Sequence, residues 1–171
     1  MFRMLKGLTL LILCTTVVSA QSSTKKPIEG VWKVTEIIVT GANASNVANP
    51  QPGLFIFAQR HYSVMWVPGN QPRTLFKAES PTDEEKIAAY DSFVANSGTY
   101  EVDGATLTLH PMVARSPNFM AGGVSKSQLR IEGTTLWLTQ KNTDVIVSTG
   151  TTTAPSSGAA SETRLKLNRV E

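Results

Sequence analysis

Apolar and polar residues alternate along most of the chain after residue 29, a pattern typical of β-strands whose two faces meet different surroundings. The alternating runs are short and rich in β-branched and aromatic residues. Eight of them are predicted strands: 30–40, 53–58, 61–67, 99–102, 105–110, 124–131, 134–140 and 163–170. The pattern therefore predicts a mainly β protein.

Short turns join neighbouring strands of this series. Asp103-Gly104 is the clearest hairpin signal, and Glu132-Gly133 and Gln59-Arg60 separate two further strand pairs. Longer polar segments at 111–123 and 149–161 are predicted loops. Successive hairpins predict an eight-stranded antiparallel up-and-down β-barrel, because closing the sheet removes its exposed edges. Such a barrel is either filled by its own side chains or holds a small ligand.

One segment follows a helical period instead. Within 81–95 the apolar residues recur at helical spacing: Ile87, Tyr90, Phe93 and Val94. Pro81, preceded by Ser80 and followed by three acidic residues, is typical of a helix start, and Gly98 is the predicted stop. We expect one inserted α-helix between strands three and four, with its apolar stripe against the barrel.

The first twenty residues have the pattern of an export signal. Arg3 and Lys6 precede a short apolar run, and small residues lead to a predicted cleavage site after Ala20. A membrane anchor and a lipoprotein attached through Cys14 are the alternatives; the apolar run is shorter than the ~20 residues that span a bilayer. The chain is thus predicted to consist of a signal peptide over 1–20, a flexible lead-in over 21–27 and one β-barrel domain over 28–171. We expect a periplasmic or secreted protein.

Removal of the signal peptide changes the charge and the available chemistry. The net charge falls from +3 to +1, so the balance gives no reason to expect nucleic acid as a partner. Cys14, the single cysteine, leaves with the leader. The mature chain then has no disulfide and no thiol nucleophile, and its core alone must stabilise the fold.

The first and last strands place a set of residues on matching faces. Trp32, Val34, Glu36 and Ile38 share one parity, which we place inside the barrel; Leu165, Leu167 and Arg169 share a face of the last strand. A carboxylate at Glu36 in an apolar interior needs a partner or a raised pKa. A bulge that turns it outward, or a buried pair with an arginine, are the alternatives.

Gly30-x-Trp32 at the start of the first strand, with Arg169 on the last, resembles the lipocalin pattern. This resemblance implies that Trp32 lies at the closed end of the barrel with the arginine across its ring; Arg164 is the competitor, but parity favours Arg169. The order of several segments is similar to that of the bacterial lipocalin-like domain family: Gly30-Val31-Trp32-Lys33-Val34, Pro52-Gly53-Leu54-Phe55-Ile56-Phe57, His61-Tyr62-Ser63-Val64-Met65, Gly98-Thr99-Tyr100-Glu101-Val102 and Gly133-Thr134-Thr135-Leu136-Trp137-Leu138. The resemblance covers residues 28–170 and implies a lipocalin-like barrel.

Aromatic and polar side chains on or near the strands are candidate ligand-binding residues: Glu36, Tyr62, Trp66, Tyr90, Tyr100, His110 and Arg115. The alternatives are plain packing for the aromatic rings and a solvated surface position for His110 and Arg115. His61, His110 and Glu36 are the types that form a two-histidine, one-carboxylate metal site, but no short ligand spacing supports one. We predict no metal and no cofactor. No Gly-x-Ser-x-Gly elbow is present, so no catalytic residue is assigned.

These observations favour an exported lipocalin-like protein that binds a small apolar or amphipathic molecule in its cavity. The expected partner is a small hydrophobic molecule, with no nucleic acid and no stable membrane insertion. One alternative is a barrel enzyme of isomerase or cyclase type, with Glu36 or His110 as general base. The other is a filled barrel with a structural or protein-binding role, through loops near Asn43 or Thr152.

Overall fold

The computed structural model describes residues 26–41, 44–148, 152–156 and 158–171. The strands are β1 Gly30–Gly41, β2 Ser45–Ala48, β3 Gly53–Ala58, β4 His61–Trp66, β5 Val94–Asp103, β6 Thr106–Ala114, β7 Val124–Glu132, β8 Thr135–Lys141, β9 Val145–Ser148, β10 Thr153–Pro155 and β11 Ser161–Arg169. The helices are α1 Asp83–Asp91 and α2 Pro117–Met120, with a 3₁₀ turn at Asn142–Asp144. The predicted signal peptide over 1–20, most of the lead-in over 21–27 and Asn43 lie outside the described residues.

Eight of the strands form a closed antiparallel barrel, which confirms the predicted fold class. The ring runs β1-β3-β4-β5-β6-β7-β8-β11 and returns to β1. The three short strands lie outside it: β2 pairs with β1, and β9 joins β7 to β10. Helix α1 follows β4 and precedes β5. Among the described residues, no helix is long and apolar enough to cross a membrane.

One half of the barrel is filled by large side chains. The most deeply buried ones are Ile28, Trp32, Phe57, Leu107, Leu136 and Leu167. They cluster where β1 and β8 begin and where β3 and β11 end, because antiparallel neighbours bring these ends together. Burial of each such side chain contributes about 1.5–3 kcal/mol. This half is therefore the packed base of the fold.

A bulge in β1 overturns part of the predicted inward face. Val34 lies opposite Leu167 and Glu36 lies opposite Lys166, so Thr35 is an extra residue with no partner on β11. An extra residue exchanges the two faces beyond it. Ile37 is therefore buried, at 5% exposed, while Glu36 turns outward. The prediction that Glu36 and Ile38 share the inner face of Trp32 is wrong for this reason.

Helix α1 is shorter than predicted and does not pack through an apolar stripe. Thr82, not Ser80, caps its start in a capping box with Glu85. The helix buries no side chain, and Ile87 and Tyr90 are 61% and 45% exposed. Val94 belongs instead to β5, opposite Trp66. Strand pairing with β4 ends the helix early and leaves its surface in solvent, so the predicted stripe against the barrel is wrong.

Strands β5 and β6 are also longer than the pattern predicted. Gly98 is not a helix stop but a mid-strand residue that faces Pro111 beside a bulge. A side chain at this position would collide with the backbone of His110, so the close approach of the two strands requires glycine. β6 runs on to Ala114 in the segment predicted as a loop, and α2 follows it. In the segment predicted as a loop over 149–161, the described part includes β10.

Candidate functional site

The closed end is held by a contact between the first and last strands. Arg169 lies opposite Trp32, and its guanidinium carbon is 4.1 Å from the centre of the indole ring. The same guanidinium donates hydrogen bonds of 2.6 Å to the backbone oxygens of Glu29 and Pro27. The indole nitrogen of Trp32 donates to Ile28 at 2.7 Å. A side chain at Gly30 would displace this guanidinium. These contacts seal the base of the barrel rather than offer a binding site.

The other half of the barrel holds a cavity of about 350 Å³ that is partly open to solvent. Its wall is mostly apolar and includes Phe55, Val64, Trp66, Leu109, Leu138 and Leu165. Phe119 of α2 and Val147 of β9 lie at its rim, and α2 is tied to β9 by a 2.8 Å hydrogen bond from Asn118 to Ser148. The lining includes Trp66, the last residue of β4, and Ser125 near the start of β7, so the cavity lies toward the end of the barrel away from Trp32, which is near the start of β1.

A small polar cluster interrupts the apolar wall. Ser125 and Ser127 project from β7 into the cavity and are each 9% exposed, because alternate residues of a strand share a face. Gln140 reaches them from β8: its amide nitrogen is 2.5 Å from the Ser125 oxygen, 3.3 Å from the Ser127 oxygen and 3.0 Å from the backbone oxygen of Lys126. We refer to these three side chains, Ser125, Ser127 and Gln140, as the serine–glutamine cluster.

A second polar group lies across the cavity on β5. Asn96 lines the cavity and accepts a 2.7 Å hydrogen bond from the buried hydroxyl of Tyr62 through its side-chain oxygen. Burial raises the pKa of the Tyr62 phenol well above its ordinary value. Tyr62 thus remains a neutral donor, and its bond orients the Asn96 amide so that the nitrogen is left for other partners.

Arg115 lies at the mouth of the cavity. It is the one charged side chain among the described residues that line the cavity. The Arg115 guanidinium donates a hydrogen bond to the backbone oxygen of Tyr90 and lies 4.2 Å from the centre of the Tyr90 ring. In return the Tyr90 hydroxyl donates to the Arg115 backbone oxygen at 3.4 Å. Arg115 therefore connects α1 to the rim of the barrel.

The structure brings only some of the predicted site residues to the cavity. Trp66 and Arg115 line it, and Tyr62 does not line it but is hydrogen-bonded to the lining residue Asn96. Tyr90 is on exposed α1 and reaches the mouth only through Arg115. The remaining three, Glu36, Tyr100 and His110, are not among the lining residues.

Each of these three has a structural reason for its position. The bulge turns Glu36 outward. His110 alternates with inward Leu109 and therefore faces the outside of β6. Tyr100 packs edge-on against Phe57 in the filled half, with the Lys26 amine 5.2 Å from its ring centre. Burial, and secondarily the charge of Glu29, raise the pKa of Tyr100, whose hydroxyl has no hydrogen-bond partner among the described residues.

The histidines do not form a metal centre in the part of the chain that the structure describes. His61 is exposed at the start of β4 and His110 faces outward on β6. No group of three or more potential ligands among His, Cys, Asp and Glu comes together in the described residues.

The serine–glutamine cluster escaped the sequence prediction although the signal was present. In the strand over 124–131, Lys126 and Arg130 share one parity, so Ser125 and Ser127 must share the other. Charged residues face solvent on a half-buried strand, and this places the serines inside. Gln140 likewise follows inward Leu136 and Leu138 at the same parity. A parity argument applied to polar residues would have found all three.

A family model described as a lipocalin-like domain matches residues 29–161, which is more than half of the chain. The match spans β1 to β10 and both helices, and it ends at the first residue of β11. Comparisons with curated proteins and with solved structures give no match.

Proposed function

Because this chain belongs to the family of lipocalin-like domains, we propose that it is an exported protein that binds a small apolar or amphipathic molecule inside its barrel. The observation that carries this proposal is the cavity of about 350 Å³ with a mostly apolar wall. Small-molecule sites are typically pockets of this size, lined by apolar and aromatic side chains with a few polar groups that orient the ligand.

The expected affinity follows from the buried surface. A ligand that fills the cavity buries on the order of 200–300 Å² of apolar area, which contributes about 5–8 kcal/mol before the cost of association. Dissociation constants in the micromolar range or weaker follow from this estimate. The site therefore suits a carrier or sensor of an apolar compound that is present at micromolar concentration.

The two alternatives find less support in the geometry. Glu36 and His110, which the sequence singled out as general bases, both face away from the cavity, so neither can reach a molecule inside it. A completely filled barrel does not agree with the open volume above Leu107 and Leu138. We therefore retain small-molecule binding as the proposed function.

The fluorescence of Trp66 tests binding, since this ring lines the cavity. Purified protein is titrated with apolar and amphipathic compounds, including long-chain alcohols, fatty acids, retinoids and aromatic acids. We expect a saturable change in emission that is lost in Trp66→Phe. Native mass spectrometry of the same mixtures measures the stoichiometry, which should be one ligand per chain.

A matched pair of variants separates cavity binding from surface adsorption. Ala114→Phe places a ring in the cavity and should abolish binding. Ala58→Phe adds the same ring at an exposed position of β3 and should not change it. Equal affinities in the two variants, or no saturable binding by any compound of the panel, would refute the proposed function.

The exported state is tested separately on the complete chain. We expect that expression with the native leader in an exporting host yields a soluble product that begins at Gln21, as measured by intact mass. An uncleaved chain that stays with the membrane fraction would support the anchor alternative. A cleaved product with a lipid on Cys14 would support the lipoprotein alternative.

A further inference from the structure

The serine–glutamine cluster indicates the chemical class of the ligand, an inference that rests on the proposed function. We propose that the bound molecule carries an uncharged oxygen group, such as an alcohol, a ketone or an amide, and that this group is held by Ser125, Ser127 and Gln140. A carboxylate of the same chain length is disfavoured at this position.

The hydrogen bonds of Gln140 determine which of its amide atoms is available. Its nitrogen contacts the backbone oxygen of Lys126 at 3.0 Å, and a carbonyl oxygen can only accept. The amide nitrogen must therefore face Lys126 and the serines, where its two hydrogens are shared among three acceptors. The Gln140 side-chain oxygen accepts no hydrogen bond from any described residue and is left for a ligand.

The two serines are left with free donors. Each side-chain oxygen accepts from the Gln140 amide, so each hydroxyl hydrogen is available to a further acceptor. On the opposite wall, the Asn96 oxygen accepts from Tyr62, and the Asn96 nitrogen donates to no described side chain. The cavity thus offers several donors and one acceptor to a molecule inside it. A hydroxyl or carbonyl oxygen on the ligand matches this set.

The charge of the wall disfavours an anion. Arg115 is the one cationic side chain among the described lining residues, and its guanidinium is held at the mouth by the Tyr90 backbone oxygen and ring. A carboxylate next to Ser125 and Ser127 would be buried without a counter-charge. Removal of such a charge from water costs much more free energy than removal of a neutral oxygen. We therefore expect at least a tenfold preference for the neutral head group.

The experiment compares compounds that differ only in the head group. Decane, 1-decanol, 2-decanone and decanoate compete at pH 7.5 with a neutral apolar fluorescent probe bound to the purified protein. We expect 1-decanol and 2-decanone to bind at least tenfold more tightly than decanoate. Both should also bind more tightly than decane, because only they use the polar cluster.

Two double variants assign the preference to the cluster. Ser125→Ala with Ser127→Ala removes both cavity hydroxyls and should lower the affinity for 1-decanol and 2-decanone about tenfold, while the probe binds as before. Ser63→Ala with Ser97→Ala removes a hydrogen-bonded serine pair of 2.8 Å on the outer face of β4 and β5. This control should leave every affinity unchanged. The unfolding midpoint of each variant shows whether it is folded. If the double variant of Ser125 and Ser127 does not fold, the single variant Ser127→Ala replaces it.

The outcomes separate this inference from the proposed function. If neither the probe nor any decane derivative binds, the proposed function fails and this inference fails with it. If all four compounds bind equally, the cavity is functional but the head-group selection is refuted. Tight binding of decanoate that is lost in Arg115→Gln would place the head group at the mouth and also refute the assignment to the cluster.

Discussion

Replacement of Arg169 by methionine tests the closure of the barrel most directly. Methionine keeps an unbranched stem but removes the guanidinium. The structure gives that group three contacts: hydrogen bonds of 2.6 Å to the backbone oxygens of Glu29 and Pro27, and a distance of 4.1 Å to the centre of the Trp32 ring. The two hydrogen bonds join β11 to the segment that leads into β1, and the ring contact joins β11 to β1 itself.

The magnitude can be estimated contact by contact. A hydrogen bond from a charged donor contributes about 1.5–3 kcal/mol at a shielded position and less at an exposed one such as Pro27. The cation–ring contact adds about 0.5–1 kcal/mol. Since the guanidinium remains partly solvated, we expect Arg169→Met to lower the free energy of unfolding by about 2–3 kcal/mol. The free energy of unfolding of Arg169→Lys should lie between those of the wild type and Arg169→Met, because an ammonium cannot make the forked pair of bonds.

Arg164 provides the matched control. It lies on the same strand but is exposed on the outer face, so Arg164→Met should change the free energy of unfolding by less than about 0.5 kcal/mol. The assay is urea unfolding followed by circular dichroism, with equal slopes in all variants as the condition for comparison. If Arg169→Met were as stable as Arg164→Met, the closed end would be held by apolar packing alone and the reasoning would be refuted.

Three further experiments test other features of the fold. Burial raises the pKa of Tyr62, so the unfolded chain releases the phenol proton first as the pH rises above about 10. The stability linked to this proton is complete below pH 10 and is lost above it. The urea midpoint should therefore fall from pH 9 to pH 11, and it should fall less in Tyr62→Phe. An equal fall in the midpoint of both proteins would contradict this. Because α1 buries no side chain, its amides should exchange with deuterium far faster than those of β1; equal protection would show a docked helix. Gly98→Ala places a carbon against the His110 backbone and should lower the free energy of unfolding by about 1–3 kcal/mol, measured by urea; a loss below 0.5 kcal/mol would show that the strands can separate there.

The base of the barrel could be predicted from strand parity together with the lipocalin resemblance. A period of two fixes which residues of a strand share a face, so the common face of Leu165, Leu167 and Arg169 follows from their spacing. The position of Trp32 beside an arginine of the last strand was implied by the resemblance, and parity favoured Arg169 over Arg164. Both features depend on local geometry and on a single topological choice.

Glu36 and α1 depended on information that local patterns do not contain. The bulge at Thr35 is defined only by the register of β1 against β11, whose residues are more than a hundred positions away. The end of α1 depends on the pairing of Val94 with Trp66 of β4. Helical spacing over 81–95 was real, but a strand partner outcompeted the last turn of the helix.

The cavity also required the assembled barrel. Phe55, Leu109 and Leu165 have the same pattern as the buried residues of the filled half, and nothing local distinguishes a wall that faces a void from one that faces another side chain. The small side chains of Ser125 and Ser127 line the open half, whereas Leu136 and Leu167 are fully buried in the other half. Whether a cavity remains depends on the summed volumes of the side chains that face each other across the barrel. These sums can be made only when the register of the strands is known.

The pairing of β1 with β11 has a consequence for the order of folding. Glu29 and Arg169, which meet at the seam, are 140 residues apart along the chain. A contact of this span forms late, because the entropy of closing so long a segment must be lost before the contact contributes any stability. Until β11 has been synthesised, β1 and β8 each keep an unpaired edge. The nascent barrel therefore stays open until β11 has been synthesised, and an open chain is the state in which a polypeptide is threaded through a membrane, as the proposed export requires.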